Sequence, residues 1–335
     1  MRIVSFDSIW NEELSHLLDA GLSLIVVDPH DATRRDAAMA DAEVLISARF
    51  TANMGRACKN LRLLVCPAAG TELIDRSALP SGVRLVNGTG HEIPMAEYVI
   101  GCLVALRQRL LESDAALRRG QWRYGFYGGD RMLGELAGSN LGMIGFGGIG
   151  QAVASRATTL GMQCAAVTRD PKRTREGAGS LEFLGSLSSP SEVDRLVSWA
   201  DQLVLCCELS PLTKGLLDAR RFGLMKPDAV LVNIARGAIA VERDLYDALA
   251  TKRIAGAAID VWYQYPRASG QMQAPSAFPF HELDNVIMTP HASGWTEAAK
   301  RRRLAAMAET INQFARAQTI EAADLKQRTI EAADL

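Results

Sequence analysis

Short apolar runs alternate with amphipathic stretches along almost the whole chain. IVSF (3–6), LIVV (24–27), VLIS (44–47) and LRLLVCP (61–67) read as buried strands with helical stretches between them, and RLVNG (84–88) ends that series in turn chemistry. A long helical pattern then runs from Pro94 to Leu111, with proline near its start, where a missing N–H costs little. It is too long for a connector inside a small domain and reads as the link between two lobes. A second series opens at Leu141 with LGMIGFG and continues through CAAVT (164–168), LVLCC (203–207), AVLVNIA (229–235), AGAAIDV (255–261) and NVIMTP (285–290). Regular alternation of strand and helix implies parallel sheets, an α/β fold. The helical pattern at 296–318 is expected to return to the first lobe.

Two stretches stand outside this rhythm. GQWRYGFYGGD (120–130) is rich in glycine and aromatics and reads as an irregular surface arm, whether a packed loop, a subunit contact or a substrate lining. TIEAADL occurs twice in the tail, at 319–325 and 329–335. Two short copies do not make a repeat fold, so a frayed helix or a sequence artefact is the reading.

Composition narrows the class. A chain of 335 residues suits two domains, and 48% apolar with 22% charged residues describes a globular protein rather than a disordered one. The net charge of −1, with both signs interspersed, leaves no basic field for nucleic acid. The one basic run, Lys300 to Arg303, reads as a solvated helix face. No segment reaches the roughly 18 apolar residues of a membrane helix, and MRIVSFDSIW does not read as a secretion signal. The six cysteines show no CxxC and the five histidines no metal spacing. The chain is therefore expected to be cytoplasmic, reduced and without a metal.

Gly145-Phe146-Gly147-Gly148-Ile149-Gly150 matches G-x-G-x-x-G, after the apolar LGMI and before a helical stretch. In that setting Gly145 permits the turn, Gly147 lets the backbone approach a pyrophosphate, and Gly150 lets helix and strand pack closely, with Gly148 a further cofactor-binding candidate. The helix N-terminus adds free N–H groups and partial positive charge. Cofactor choice is read at the end of the next strand, where NAD sites usually place an acid. Thr168 takes that position here and Arg169 follows, a pairing that suits the 2′-phosphate of NADP. NADP is thus favoured over NAD, although a shift to Asp170 restores NAD.

Three later segments follow predicted strands: Asn233-Ile234-Ala235-Arg236-Gly237, Ala258-Ile259-Asp260-Val261 and Thr289-Pro290-His291-Ala292-Ser293-Gly294. Each is thereby expected at the carboxyl edge of a sheet, where open α/β folds bind ligands. With the glycine loop, LRLLVCPAAGTELID (61–75) and MAEYVIGCLVAL (95–106), they closely resemble the D-specific 2-hydroxyacid dehydrogenase family over nearly the whole chain. That family includes glyoxylate/hydroxypyruvate reductases, phosphoglycerate dehydrogenase and formate dehydrogenase.

The resemblance implies roles. Arg236 clamps the carboxylate of a small 2-oxo acid and polarises its carbonyl, and His291 is the general acid/base. Ala69 and Gly70 offer backbone N–H groups to the same carboxylate. Asp260 orients the nicotinamide carboxamide. Ile149, Leu209, Ser210, Ile234, Ala235, Ser293 and Gly294, with Arg236 and His291, match positions that line the cofactor. Many relatives carry a glutamate five residues beyond the aspartate, bonded to the histidine. Tyr265 stands there instead, as a substrate-binding candidate. A phenol lacks the carboxylate's charge, so His291 is expected to titrate lower than in those relatives. Glu208 stands where relatives commonly place a proline beside the adenine, its acidity slightly disfavouring a nearby 2′-phosphate.

The implied architecture is two Rossmann-like lobes with the active site in the cleft between them. Residues 1–95 plus 291–335 form the substrate-binding domain and 96–290 the dinucleotide-binding domain. The expected function is an NAD(P)-dependent 2-hydroxyacid dehydrogenase that reduces 2-oxo acids, and the family habit implies a homodimer. Tyr265 and Trp262 keep a formate-like oxidation open, since formate dehydrogenases also lack that glutamate. A dinucleotide-sensing, corepressor-like binding protein is the other alternative, opposed by the survival of Arg236 and His291.

Overall fold

The computed structural model describes residues 1–6, 10–128, 132–172, 181–266 and 270–333. Gly129 and Asp130 of the aromatic arm, Arg173 beyond the cofactor strand, and the last two residues of the duplicated tail lie outside the described residues. The chain divides into two compact units, Met1–His91 with Thr296–Leu335, and Glu92–Trp295.

The first unit holds a five-stranded parallel sheet made of β1 (Ile3–Ser5), β2 (Leu24–Val26), β3 (Val44–Ile46), β4 (Leu63–Cys66) and β5 (Arg84–Asn87), in the order β2-β1-β3-β4-β5. The three inner strands are buried on both faces, which explains why they read as unbroken apolar runs; the edge strands β2 and β5 are partly exposed. Side chains alternate across the sheet. Ile3, Val44, Ile46, Leu63 and Val65 pack under Leu14 of α1 (Asn11–Leu17) and under Leu304, Met307 and Ile311 of α10 (Glu297–Ala333). Val4, Leu45 and Leu64 face α2 (Ala32–Ala40) and α3 (Ala52–Ala57) through Met39 and Met54. Asp31 and Thr51 cap those two helices by accepting from Arg34 N and Met54 N. α10 is also tied to the unit by polar contacts: Arg316 bonds Asp19 at 2.7 and 2.9 Å, and Asn312 bonds both Leu17 O and Asp19 N.

The second unit begins with α4 (Glu92–Arg107) and α5 (Leu110–Leu117). The single helix expected from Pro94 to Leu111 is therefore two. Arg109 adopts a left-handed conformation between them (φ 47°), with its guanidinium on both oxygens of Glu112 at 3.1 Å. Neither glycine nor proline marks this break, so the apolar periodicity runs straight through it.

The unit's seven-stranded sheet is parallel throughout: β6 (Asn140–Ile144), β7 (Gln163–Thr168), β8 (Leu181–Ser186), β9 (Gln202–Leu205), β10 (Val230–Asn233), β11 (Gly256–Ile259) and β12 (Val286–Met288), in the order β12-β11-β10-β9-β6-β7-β8. β8 was not expected: LEFLGS is mostly half-buried and lacks the long apolar run of its neighbours. Helices α4 and α6 (Gly148–Thr159) cover one face, with Val99, Leu103, Val153 and Ala157 against Met143, Ala166, Val204 and Val232. Helices α7 (Pro190–Trp199), α8 (Ala219–Leu224) and α9 (Glu242–Ala250) cover the other, through Leu196, Phe222, Leu245 and Leu249. The sheet's order reverses at β6, whose neighbours are β7 on one side and β9 on the other. A crevice outside the carboxyl ends of the strands is expected at such a switch point.

Candidate active site

The glycine loop fills the turn from β6 into α6. Gly145 has φ +104°, and a Cβ there would stand 2.7 Å from Cys206 O and from Cys207 N, so the position excludes side chains twice over. Gly150 sits 2.8 Å, by the same measure, from Gly145 O, which fits its role in close strand–helix packing. Gly147 and Gly148 are exposed, and a Cβ on Gly147 would meet nothing within 4 Å. Gly147 also caps α6 without any side-chain bond. Open space therefore adjoins the start of α6 at Gly147, where a helix N-terminus favours an anion, while the Glu92 side chain stands against Gly148.

A cavity of about 570 Å³ adjoins this loop. Gly145, Phe146, Gly147, Thr168, Arg169, Asp170, Glu208 and Ser210 help to line it. Thr168 ends β7, and the exposed Arg169 beyond it meets Glu208 at 2.5 Å. Leu209 and Ser210 lie on a turn ordered by the buried Thr213, whose hydroxyl donates to Glu208 O at 2.7 Å and accepts from Ser210 N at 2.8 Å.

Arg236, Asp260 and His291 follow β10, β11 and β12, three neighbouring strands, so all three leave the sheet at its carboxyl edge. Asn233 shapes the first of these loops, accepting from Ala235 N and donating to Arg236 O, both at 3.1 Å. Ile234 and Ala235 are buried there, and Arg236 Nη1 donates to Ala235 O at 2.7 Å.

Asp260 is completely buried, and its carboxylate organises the third loop. Oδ1 accepts from Thr289 Oγ1 at 2.6 Å and from Ala292 N at 2.8 Å, and Oδ2 accepts from Ser293 N at 3.0 Å. Thr289 is gripped again from two sides. Trp262 Nε1 donates to its carbonyl at 2.8 Å, and the Tyr98 hydroxyl lies 2.7 Å from its Oγ1. Between these anchors His291 is held in a left-handed conformation (φ 58°) that a non-glycine residue adopts at a cost. The imidazole is exposed at the sheet edge. Asp260, assigned by resemblance to the cofactor, thus acts visibly on the loop that carries His291.

Tyr265 stands beside His291 and feels the charge of Arg236. Its ring lies 5.8 Å from the His291 ring, centroid to centroid, at 52°, and its hydroxyl accepts from Trp262 N at 2.9 Å. Burial pushes the phenol up, opposed by the Trp262 N–H and by the positive charge of Arg236. The ring is still 46% exposed, so it lines the site rather than filling the core.

These residues fit a dinucleotide. Beyond the open space at Gly147, the Ser293 hydroxyl is buried with no hydrogen-bond partner among the described residues, a polar atom left over for a bound group. Gly294 follows it in the same turn. Ala69 and Gly70 belong to the first unit, on the turn after β4. There Ala69 O accepts from Asn87 Nδ2 at 2.7 Å, and Gly70 O lies 3.6 Å from Cys66 Sγ. Sequence reasoning missed Tyr98, Thr289 and Thr213. Thr289 stood inside the quoted Thr-Pro-His motif and could have been found. Tyr98 sits on a helix 191 positions from its partner, and only the fold brings them together. Among the described residues, no group of three His, Cys, Asp or Glu side chains is arranged to hold a metal.

An α/β unit with a glycine loop at its switch point and an arginine, an aspartate and a histidine on adjacent strand ends defines a dinucleotide-binding protein built for small-molecule chemistry. Comparison with known proteins agrees. Residues 100–293 match the D-isomer specific 2-hydroxyacid dehydrogenase, NAD binding domain, family. The chain is 32% identical over 286 residues to D-3-phosphoglycerate dehydrogenase of Methanocaldococcus jannaschii, covering 84% of this chain and 51% of that one. It is 30% identical over 259 residues to glycerate dehydrogenase of Methylorubrum extorquens, covering 76% of each. The chain thus spans about half the length of the first relative and three quarters of the second. Among solved structures, NAD-dependent formate dehydrogenase from Staphylococcus aureus in complex with NAD superposes with a TM-score of 0.68 at 25% identity, covering 94% of this chain and 95% of that one. The chain belongs to the D-isomer specific 2-hydroxyacid dehydrogenase family.

Proposed function

We propose that the protein is an NAD(P)-dependent 2-hydroxyacid dehydrogenase that works as a 2-oxoacid reductase, with NADP favoured over NAD. The observation that carries this reading is the convergence of Arg236, Tyr265 and His291 at one edge of the sheet that also bears the glycine loop. Arg236 binds the substrate carboxylate with its planar two-pronged donor and draws density from the adjacent carbonyl. His291 donates a proton to the carbonyl oxygen as it becomes a hydroxyl. Ala69 and Gly70 are proposed as backbone donors to the substrate. The nicotinamide supplies the hydride when bound. Gly145, Gly147, Gly148, Ile149 and Gly150 would hold its pyrophosphate, Thr168 and Arg169 its adenosine ribose, and Leu209, Ser210, Ile234, Ala235, Ser293 and Gly294 the rest of the molecule. A homodimer is proposed as well, supported by the exposed apolar side chains of Trp122, Phe126, Tyr127 and Met132. Six cysteine thiols without a disulfide support a reducing, cytoplasmic setting, and no described helix is long and apolar enough to cross a membrane.

The test is NADPH and NADH oxidation with glyoxylate, hydroxypyruvate, pyruvate and phenylpyruvate, beside formate with NADP⁺ and NAD⁺. Turnover of an oxo acid that drops on the order of a hundredfold in His291→Gln supports the reading. Reaction with formate alone moves the assignment to small-anion oxidation. Dinucleotide binding with no turnover at all moves it to a sensor.

A further inference from the structure

We propose that Glu208 is a specificity-determining residue of the dinucleotide site: its carboxylate engages Arg169 in place of the 2′-phosphate of NADP and so sets how strongly that phosphate is preferred. The inference deepens the cofactor reading above and rests on the assignment of this sheet edge as a dinucleotide site.

The geometry is set by topology. β7 and β9 flank β6, the strand that feeds the glycine loop. With neighbouring strands about 4.8 Å apart, the ends of β7 and β9 stand roughly 10 Å from each other. Arg169 follows β7 and Glu208 lies just beyond β9, yet their side chains meet at 2.5 Å. The pair therefore reaches across the carboxyl end of the glycine-loop strand. Both residues line the cavity shared by Gly145, Gly147 and Thr168.

The pair is built for exchange rather than for folding. Its side chains are 72% and 43% exposed, and ion pairs this exposed contribute little to stability. The backbone beneath them is nevertheless fixed. Thr168 O accepts from Leu187 N at 2.8 Å, and Thr213 bonds Glu208 O at 2.7 Å. Two loosely held charges thus sit on rigid mounts. A guanidinium offers the same two-pronged donors to carboxylate and phosphate, and a phosphate monoester carries the larger charge, so the 2′-phosphate displaces Glu208. The displaced carboxylate stays nearby and opposes the phosphate. NADP affinity is therefore held below what Arg169 alone would give, while the uncharged 2′-hydroxyl of NAD is little affected.

Glu208→Gln keeps the shape and removes the charge. Fluorescence titration of the full chain should show NADPH binding tightened up to about fivefold and NADH binding changed by less than about 1.5-fold. Competition by 2′-AMP should strengthen with it and competition by 5′-AMP should not. In an Arg169→Ala background the gain should shrink, because no guanidinium remains to be released. Unchanged NADPH affinity in Glu208→Gln overturns the proposal. Equal tightening of NADH, or a gain of the same size without Arg169, overturns it too. A wild type that prefers NADH, with the selective NADPH gain still present in Glu208→Gln, would remove the NADP preference and leave the role of Glu208 standing. Refusal of both dinucleotides by wild type and variant would remove both readings.

Discussion

The carboxyl edge of the seven-stranded sheet holds its polar groups in two opposite ways. At the β6, β7 and β9 end, Arg169 and Glu208 are exposed and joined by one ion pair, beside a glycine loop with open space at Gly147. At the β10, β11 and β12 end, Asp260 is sealed from solvent with three donors on its two oxygens, and Thr289 is tied from both sides. The first arrangement suits recognition, because a ligand must replace whatever the protein offers itself. The second suits chemistry, because a proton donor must stay within a fraction of an ångström of its place. Exposed pairs contribute up to about 1 kcal/mol, whereas hydrogen bonds to a buried carboxylate contribute roughly 1.5–3 kcal/mol each. The difference in rigidity follows from that difference in burial.

The sharpest division lies within the glycine loop itself. Gly145→Ala puts a methyl group 2.7 Å from backbone atoms of Cys206 and Cys207 and strains a φ of +104°. The two penalties together reach on the order of 4 kcal/mol, so chemical denaturation should show the largest loss of stability in the set. Gly147→Ala meets nothing within 4 Å and should unfold like the wild type while binding dinucleotide at least about tenfold more weakly. Equal stability losses in both variants would show that the loop is uniformly structural and carries no ligand space.

Asp260→Asn attacks the other end. An amide can keep one oxygen facing Thr289 and Ala292, but its NH₂ then points at the Ser293 N–H, donor against donor. The expected cost is about 3 kcal/mol of stability. The turn that carries His291 would loosen, so kcat should fall more than KM rises. A variant with wild-type kcat would mean that this carboxylate does not position the histidine.

The sequence reading reached the two ends unequally, for a physical reason. The fold class was visible because inner parallel strands bury both faces, so VLIS and LVLCC stand out as apolar runs; β8 escaped because only part of it is covered. Gly145 was legible because a left-handed turn selects glycine directly. The placement of Arg236 and His291 at the sheet's carboxyl edge was legible through their motifs. The support beneath them was not. Nothing local says that Asp260 binds three groups more than twenty positions away, or that the Arg109 break divides α4 from α5, because those facts are settled by tertiary contacts. Glu208 was noticed as an acid in an odd place, but its reach to Arg169 needed the strand order.

The smallest effect tests how much of the tether is required. The Thr289 hydroxyl has one proton, and Asp260 can only accept, so that proton goes to Asp260 and Tyr98 must donate to Thr289 Oγ1 at 2.7 Å. Burial pushes the Tyr98 phenol up, which keeps it protonated and donating at any pH where the enzyme would work. Tyr98→Phe removes a bond between neutral groups and leaves the Thr289–Asp260 bond in place. Its cost should be about 1 kcal/mol in denaturant unfolding, with kcat within about threefold of wild type and the pH–rate profile unmoved. The bond would then be one peripheral prop among several. A loss of kcat as large as that of Asp260→Asn would instead make Tyr98, Thr289 and Asp260 a single cooperative unit, and the rigidity of the histidine turn would originate in α4.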